Sequence, residues 1–408
     1  MGAIPPGYEA DGPMLRIGGR RAYDLVAEAG RTPLFAYDLA MIGRRIERFR
    51  AVFSGVDLHY AIKANSYAPL LSYVESRVDG LDVASGGELE MALAAGMAAE
   101  NISFAGPGKR EAELEAAIRA GGTINLESEG EAERALAAGQ RLGVTPRLAV
   151  RVNPDFEIKG SGMRMGGGAK PFGVDAARVP ALVRRILEAG ADWRGFHIFA
   201  GSQALSAEAL IEAQAATLDL AGELAVEAKA SPPLVNLGGG FGIPYFATEE
   251  PLEVERVGEA LASGLERRSD ALRDSRFAIE LGRWLVGEAG VYLTRIVDRK
   301  ESHGKTFLVV DGGMHHQLAA SGNFGQIVRR NYPAAIASRI GEPVGEEVSI
   351  VGCLCTPLDR LADDVMMPRA DVGDLVAVFM AGAYGRSASP QDFLGHPPAR
   401  EITVSEGY

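Results

Sequence analysis

The chain has 408 residues, room for two or three domains of the usual ~150 residues, or for one α/β barrel of about 250 with a companion domain. Apolar residues make up 47% and charged residues 24%, so a large core can form and disorder is excluded as the main state. With 42 basic against 54 acidic residues the net charge is −12, which lacks the positive footprint of nucleic-acid binding.

No run reaches the ~18 apolar residues of a membrane span, and the longest, 375–384, contains Gly382. Neither nucleic acid nor membrane is expected as a partner. The opening MGAIPPGYEADGP has no basic start or apolar run of a signal peptide, and Pro6 stands where a myristoylation motif wants Ser or Thr. The only two cysteines, Cys353 and Cys355, sit too close for an ordinary staple and fit a reducing compartment. A cytoplasmic protein is expected. Glycine, at 51 residues, far exceeds the usual ~7% without any Gly-X-Y period, which predicts tight turns and backbone-lined sites.

From about residue 32 to residue 280, short β-type runs alternate with longer Ala/Leu/Glu-rich helical stretches. The runs are DLHYAI (57–62), GLDVA (80–84), NISFA (101–105), TINLE (123–127), RLAVRV (147–152), GFHIFA (195–200), PLVNLG (233–238) and FAIEL (277–281). Helical stretches at 86–97, 129–142, 176–190 and 206–230 lie between them. This is the pattern of an α/β fold, a closed (β/α)8 TIM barrel over 32–280, with an open doubly wound sheet as the alternative. After residue 285 the texture changes to VYLTRIV, TFLVVDGG, EVSIVG, DLVAVFM and EITVS, separated by Gly, Pro and Asp. Residues 281–408 with 1–31 are expected to form a mostly antiparallel β domain, LRIGGR near the start adding a strand to it.

In a barrel, chemistry belongs at the C-terminal ends of the strands. The first run leads into HYAIKANS, where Lys63 lies among apolar neighbours. Burial there would lower its pKa and make the amine a nucleophile or Schiff-base partner; the alternative is a lysine reaching past the strand end to water. The seventh run enters GGGFG (238–242), either a tight turn or a phosphate cradle of backbone N–H groups. The eighth carries Glu280 in FAIELGR, a carboxylate that needs a partner if buried, with Arg283 close by in sequence. His197 is a strand histidine, by itself an ordinary core residue. An amine, a phosphate cradle, a histidine and a buried carboxylate on one barrel face are together what pyridoxal 5'-phosphate requires, the carboxylate keeping the ring nitrogen protonated as a strong electron sink. A strong sink favours loss of CO2 over racemisation.

These motifs, ordered over nearly the whole chain, resemble those of the fold-type III pyridoxal-phosphate decarboxylases, which include diaminopimelate, ornithine and arginine decarboxylases. The resemblance implies an alanine-racemase-like barrel plus β domain, and a homodimer with shared active sites. HYAIKAN implies Lys63 as the cofactor lysine, and DVASGGELE, with Ser85 and Glu88, is similar to the second-strand motif. FHIFAGSQ implies His197 for ring stacking and Ser202 near the phosphate, with a longer His-to-Ser spacing than diaminopimelate decarboxylases have. GGGFG implies Gly239 and Gly240 at the phosphate. ELGR implies Glu280 for the ring nitrogen, Gly282 at the cofactor, and Arg283 on the phosphate or substrate side. CTPLD implies Cys355 as proton donor and Asp359 as substrate contact from the second subunit, and GAYG implies Tyr384 on cofactor and substrate.

On residue type alone, a thiol suits protonation of the carbanion left by CO2, and a small buried hydrophobe is the alternative for Cys355 and the reading for Cys353. His315 and His316 suggest a metal, but no third ligand lies nearby in sequence and none is expected. Thr356 stands where diaminopimelate decarboxylases carry an acidic residue after the cysteine. The combination of FHIFAGSQ with CTPLD resembles instead the biosynthetic-cluster decarboxylases that include a glutamyl-carrier-protein decarboxylase. The expected activity is therefore pyridoxal-phosphate-dependent decarboxylation of an amino acid or carrier-tethered amino-acyl group. Diaminopimelate decarboxylation, racemisation and a non-catalytic regulatory role are the alternatives. Arg329 and Arg330 are candidates for a carrier-binding patch or a carboxylate site, or else a solvated pair.

Overall fold

The computed structural model describes residues 4–156, 163–164, 166–324, 326 and 328–405. The chain divides into two compact units: Ile46–Ile243 with Glu250–Gly282, and Met1–Arg45 with Pro244–Glu249 and Arg283–Tyr408.

The first unit is a closed parallel barrel. Its strands are β1 (Asp57–Ala61), β2 (Gly80–Val83), β3 (Ile102–Phe104), β4 (Thr123–Leu126), β5 (Arg147–Asn153), β6 (Asp192–Ile198), β7 (Leu234–Asn236) and β8 (Arg276–Leu281). Neighbours in sequence are neighbours in space, β8 pairs β1, and every pairing is parallel. The strands are buried along nearly their whole length, which is why they read as continuous apolar runs rather than alternating ones.

Between them the sequence carries helix punctuation. Ser85 caps Gly86–Ala94 by accepting from Glu88 N at 3.2 Å, Ser128 caps Glu129–Leu142 by accepting from Glu131 N at 3.1 Å, and Ser206 caps Ala207–Ala228. Gly121 and Gly143, both left-handed, end their helices. A bulge in β6 between Trp193 and Gly195 re-aims the strand, so that Phe196 is buried and His197 faces the barrel interior beside Arg151 of β5 and Asn236 of β7.

In the second unit the long strand Gly290–Ser302 is the spine. Its first half pairs antiparallel with Leu34–Asp38 and Leu375–Val378, its second half with Lys305–Val310. Glu346–Val351 and Arg360–Met367 extend the sheet, and two pairings, of Lys305–Val310 with Glu346–Val351 and of Arg400–Val404 with Leu34–Asp38, are parallel. Two differences from the sequence reading follow. Leu34–Asp38, which lies inside the expected barrel range of 32–280, belongs to this sheet, because its buried backbone edges are paired on one side by residues 290–293 and on the other by residues 400–404. The LRIGGR segment does not join the large sheet either. Positive φ at Gly18 (53°) and Gly19 (74°) turns Met14–Ile17 back onto Arg20–Arg21, and with Glu9–Asp11 they form a separate three-stranded sheet.

Gly195 has φ +111°, and a Cβ there would overlap the Leu234 carbonyl oxygen of β7. Gly195→Ala is therefore expected to lower the barrel's unfolding free energy by roughly 2 kcal/mol or more, read from the urea midpoint at unchanged slope, whereas Gly190→Ala, in open space, costs only its backbone strain.

Candidate active site

Glu280 sits near the end of β8, 6% exposed, with a partner on each carboxylate oxygen. Lys63 Nζ lies 3.5 Å from Oε1, and His197 Nε2 donates to Oε2 at 3.0 Å. Burial works to raise the Glu280 pKa, but the Lys63 charge, the His197 hydrogen bond and charge, and Arg151 outweigh it and hold the carboxyl well below the usual range. Glu280 is thus an anion at the centre of the barrel mouth. It is the partner requirement anticipated from sequence, met by Lys63 and His197 rather than by Arg283.

Lys63 is not buried in the strand. It occupies a 3-10 turn, Ile62–Ala64, just past β1, and its side chain is 45% exposed with Nζ 5.4 Å from the Phe199 ring centre. Of the two alternatives, the lysine that reaches past the strand end is the one observed: β1 ends at Ala61, so the side chain reaches the open end of the barrel. Glu88, which accepts from Ala84 N just ahead of its helix at 2.7 Å, also faces this anion and amine; burial, with Glu280, raises its pKa against the pull of the Ala84 N–H and Lys63.

The glycine run lies beside β8. A Cβ on Gly239 would overlap the Glu280 carbonyl oxygen, and positive φ at Gly238 (70°) and Gly240 (85°) bends the backbone into the kind of concavity whose N–H groups hold an anion. Gly282 packs where a Cβ would meet the Ala64 Cβ at 2.9 Å, holding the ends of β8 and β1 together. Ser202 is half-buried in the short strand Gly201–Ser202 that follows β6. His197 Nδ1 is buried and has no partner among the described residues. A reachable amine, an ionised carboxylate, an imidazole with a spare nitrogen and a glycine concavity fit pyridoxal phosphate in charge and in chemistry.

Within the second unit Arg283 is half-buried among tyrosines. Its Nη1 donates to Tyr245 Oη at 3.0 Å, its guanidinium lies 4.8 Å from the Tyr384 ring centre, and its Nε is buried without a partner among the described residues. Tyr384 has φ +53°, a conformation rare for a bulky residue and typical of functional positions. Tyr245 and Tyr332, ring centres 5.0 Å apart, complete this cluster; sequence reading missed both. Tyr245 lies three residues after GGGFG and Tyr332 two residues after Arg330, and position near those motifs was the only signal.

Cys355 is exposed on the 352–359 loop. Asp359, expected to contact substrate, is 2% exposed and accepts from Met314 N at 2.6 Å and Leu354 N at 2.8 Å. Each carboxylate oxygen thus braces the loop within this chain. Arg329 is likewise committed, to Asp363 and to the Ser321 and Arg360 carbonyl oxygens. Arg330 stacks 3.6 Å over Phe246 and pairs with Glu249 at 3.1 Å. The pair therefore does not form a free basic patch.

The expectation that His315 lacks a third ligand is also corrected. Cys353 and His396, remote in sequence, converge on it, and the three potential ligand atoms lie within 4.8 Å of one another. Burial, with His316 and His396 close by, pushes His315 down to about 3. His316 points elsewhere, its Nε2 donating to the Pro397 carbonyl oxygen at 3.0 Å.

Residues 39–287 match the family described as "Pyridoxal-dependent decarboxylase, pyridoxal binding domain", which spans more than half of the chain. The chain is 37% identical over 383 residues to the L-glutamyl-[BtrI acyl-carrier protein] decarboxylase of Niallia circulans, covering 92% of this chain and 89% of that protein. It is 31% identical over 401 residues to the diaminopimelate decarboxylase of Archaeoglobus fulgidus, covering 96% and 92%. Among solved structures, diaminopimelate decarboxylase from M. jannaschii in co-complex with L-lysine superposes with a TM-score of 0.88 at 26% identity, over 98% of this chain and 93% of that one. The chain belongs to the pyridoxal-dependent decarboxylase family. It is a carboxy-lyase built on an alanine-racemase-like barrel with a β domain, and its cofactor is pyridoxal phosphate.

A carboxyl whose native pKa lies below its unfolded value of ~4.3 contributes fully above that value and loses its contribution as pH falls through the native one. The stability difference between the protein and Glu280→Gln, from urea unfolding, is expected to stay flat from about pH 8 to pH 5 and to shrink on further acidification. A difference that first appears in acid would contradict the ionised assignment.

Proposed function

We propose that this chain decarboxylates a carrier-tethered amino-acyl group, glutamyl or similar, in a biosynthetic pathway. Pyridoxal phosphate, when bound, supplies covalent attachment for the substrate amine and an acceptor for the electrons left behind when CO2 departs. Lys63 offers the amine that holds it, and Glu280, kept ionised by Lys63 and His197, is the anion for the ring nitrogen. His197 gives the ring a flat face, and the backbone N–H groups of Gly239 and Gly240, with Ser202 and Gly282 alongside, receive the phosphate. Arg283 and Tyr384 serve the phosphate or the substrate. Cys355 delivers a proton to the carbon that lost CO2, and its exposure on its own chain supports delivery to the site of a second copy in a homodimer. The two unpaired thiols support a cytoplasmic setting.

The observation that carries the substrate reading is Thr356. Its hydroxyl accepts from Leu358 N at 3.4 Å within its own turn, and it places no negative charge beside Cys355 for a distal ammonium group. The 37% identity to a decarboxylase of a carrier-bound glutamyl group supports the same reading. Diaminopimelate decarboxylation is the second reading, favoured by relatives at 31% identity.

CO2 release should be compared for meso-diaminopimelate, ornithine, lysine and glutamate, each free, and for a carrier-bound glutamyl group. Turnover of the tethered group is expected to exceed that of free diaminopimelate by roughly tenfold or more, the worth of one lost charge-assisted contact. Efficient turnover of free diaminopimelate would overturn the proposal.

A further inference from the structure

The loop that bears Cys355 is anchored twice in the second unit. One anchor is Asp359; the other is a cluster for which the decarboxylation chemistry has no use. His315 is 0% exposed, yet neither ring nitrogen has a hydrogen-bond partner among the described residues. An imidazole buried with both nitrogens unsatisfied forfeits roughly 1–3 kcal/mol for each, and native structures rarely leave such a group idle. Facing it are Cys353 and His396. The Cys353 sulfur is 3.8 Å from His396 Nδ1 and 3.9 Å from Nε2, and the His315 and His396 ring centres are 5.2 Å apart.

We propose that His315, Cys353 and His396 bind a divalent ion of the zinc class, which fastens the 352–359 loop, and with it Cys355, to the segments carrying the two histidines.

The ligand set is one thiolate and two imidazoles, which borderline-soft, tetrahedral ions prefer and which calcium and magnesium do not. Zinc bonds of ~2.3 Å to sulfur and ~2.0–2.1 Å to nitrogen place tetrahedral ligand atoms about 3.3–3.6 Å apart. The observed separations, all within 4.8 Å, need to close by only about an ångström, which side-chain rotation supplies. The surroundings favour a cation as well. Asp359 and Asp311 both bear electrostatically on Cys353, and the Cys353 thiol lies 3.6 Å from the Asp311 carbonyl oxygen. A thiol binds such an ion as thiolate, so loading replaces the Cys353 proton with the metal and releases one proton per ion. Three protein ligands leave a fourth position for water. His316 takes no part, since its Nε2 is held by Pro397 and its Nδ1 lies 3.3 Å from Tyr292 Oη.

The test is titration of tag-free holoenzyme with Co2+ after dialysis against chelator, reading bound metal and the visible bands of four-coordinate cobalt, which fall to the red of the cofactor's absorption. The protein is expected to take one equivalent per chain with those bands, Zn2+ displacing it. Cys353→Ser and His396→Ala should each lose at least tenfold in affinity and lose the bands, while Cys355→Ser keeps both. A second reading on the unmutated protein guards against misfolded variants: Zn2+ should protect Cys353, and not Cys355, from iodoacetamide, as mapped on peptides. Cobalt bound only as a pink six-coordinate species, binding unchanged in Cys353→Ser, or equal alkylation of both thiols with and without Zn2+ would each overturn the site.

Discussion

A carboxylate held ionised inside a barrel of apolar strands is the constraint around which the first unit is arranged. Glu280 is 6% exposed, and an anion so placed is tolerated only if charge and hydrogen bonds replace the water it has lost. The replacement comes from two different strands, Lys63 from the turn after β1 and His197 from β6. The closed parallel barrel brings the C-terminal ends of β1, β6 and β8 to one face, with β8 paired to β1. The Gly195 bulge in β6, the close approach of Gly239 to β8 and the contact of Gly282 with Ala64 then fix where those ends lie. Packing and chemistry therefore depend on the same few backbone positions. The lysine and histidine that stabilise the anion are also the groups that a bound pyridoxal phosphate needs, so the arrangement without cofactor is already charged for receiving it.

The second unit answers a different demand, the placement of an exposed thiol. Cys355 lies on a surface loop, and such loops are mobile unless their backbone is tied down. Asp359 ties it by accepting two N–H groups, one from the loop and one from Met314. The His315, Cys353 and His396 cluster brings together the same two segments and a third that carries His396. Nearby, Arg283 is enclosed by Tyr245, Tyr332 and Tyr384, and burial raises the phenols of Tyr245 and Tyr332, so both stay protonated hydrogen-bonding groups around a permanent cation.

Much of the barrel was legible in the sequence because doubly buried parallel strands and long Ala/Leu/Glu-rich helices leave strong local patterns, as at RLAVRV and at 129–142. Leu34–Asp38 was not, since a buried five-residue apolar strand looks the same whichever sheet it joins, and its partners lie at 290–293 and 400–404. In the site, Lys63, His197, Glu280 and the glycine run were found because each is chemically conspicuous in an apolar run. The two backbone contacts of Asp359 were not legible because a motif reports residue type and spacing but not which way a carboxylate turns. The convergence of Cys353 and His396 on His315, and of Tyr245 and Tyr332 on Arg283, was not legible for a related reason: contacts between residues far apart in the chain exist only after the sheet has formed.

Reduction of the holoenzyme with borohydride, followed by peptide mapping, tests directly whether the amine beside Glu280 is the one that carries the cofactor. The account predicts that the pyridoxyl label falls on the peptide containing Lys63 and disappears in Lys63→Ala, with the fold retained by circular dichroism. Label on another lysine, such as the buried Lys109, or undiminished labelling in Lys63→Ala, would contradict it.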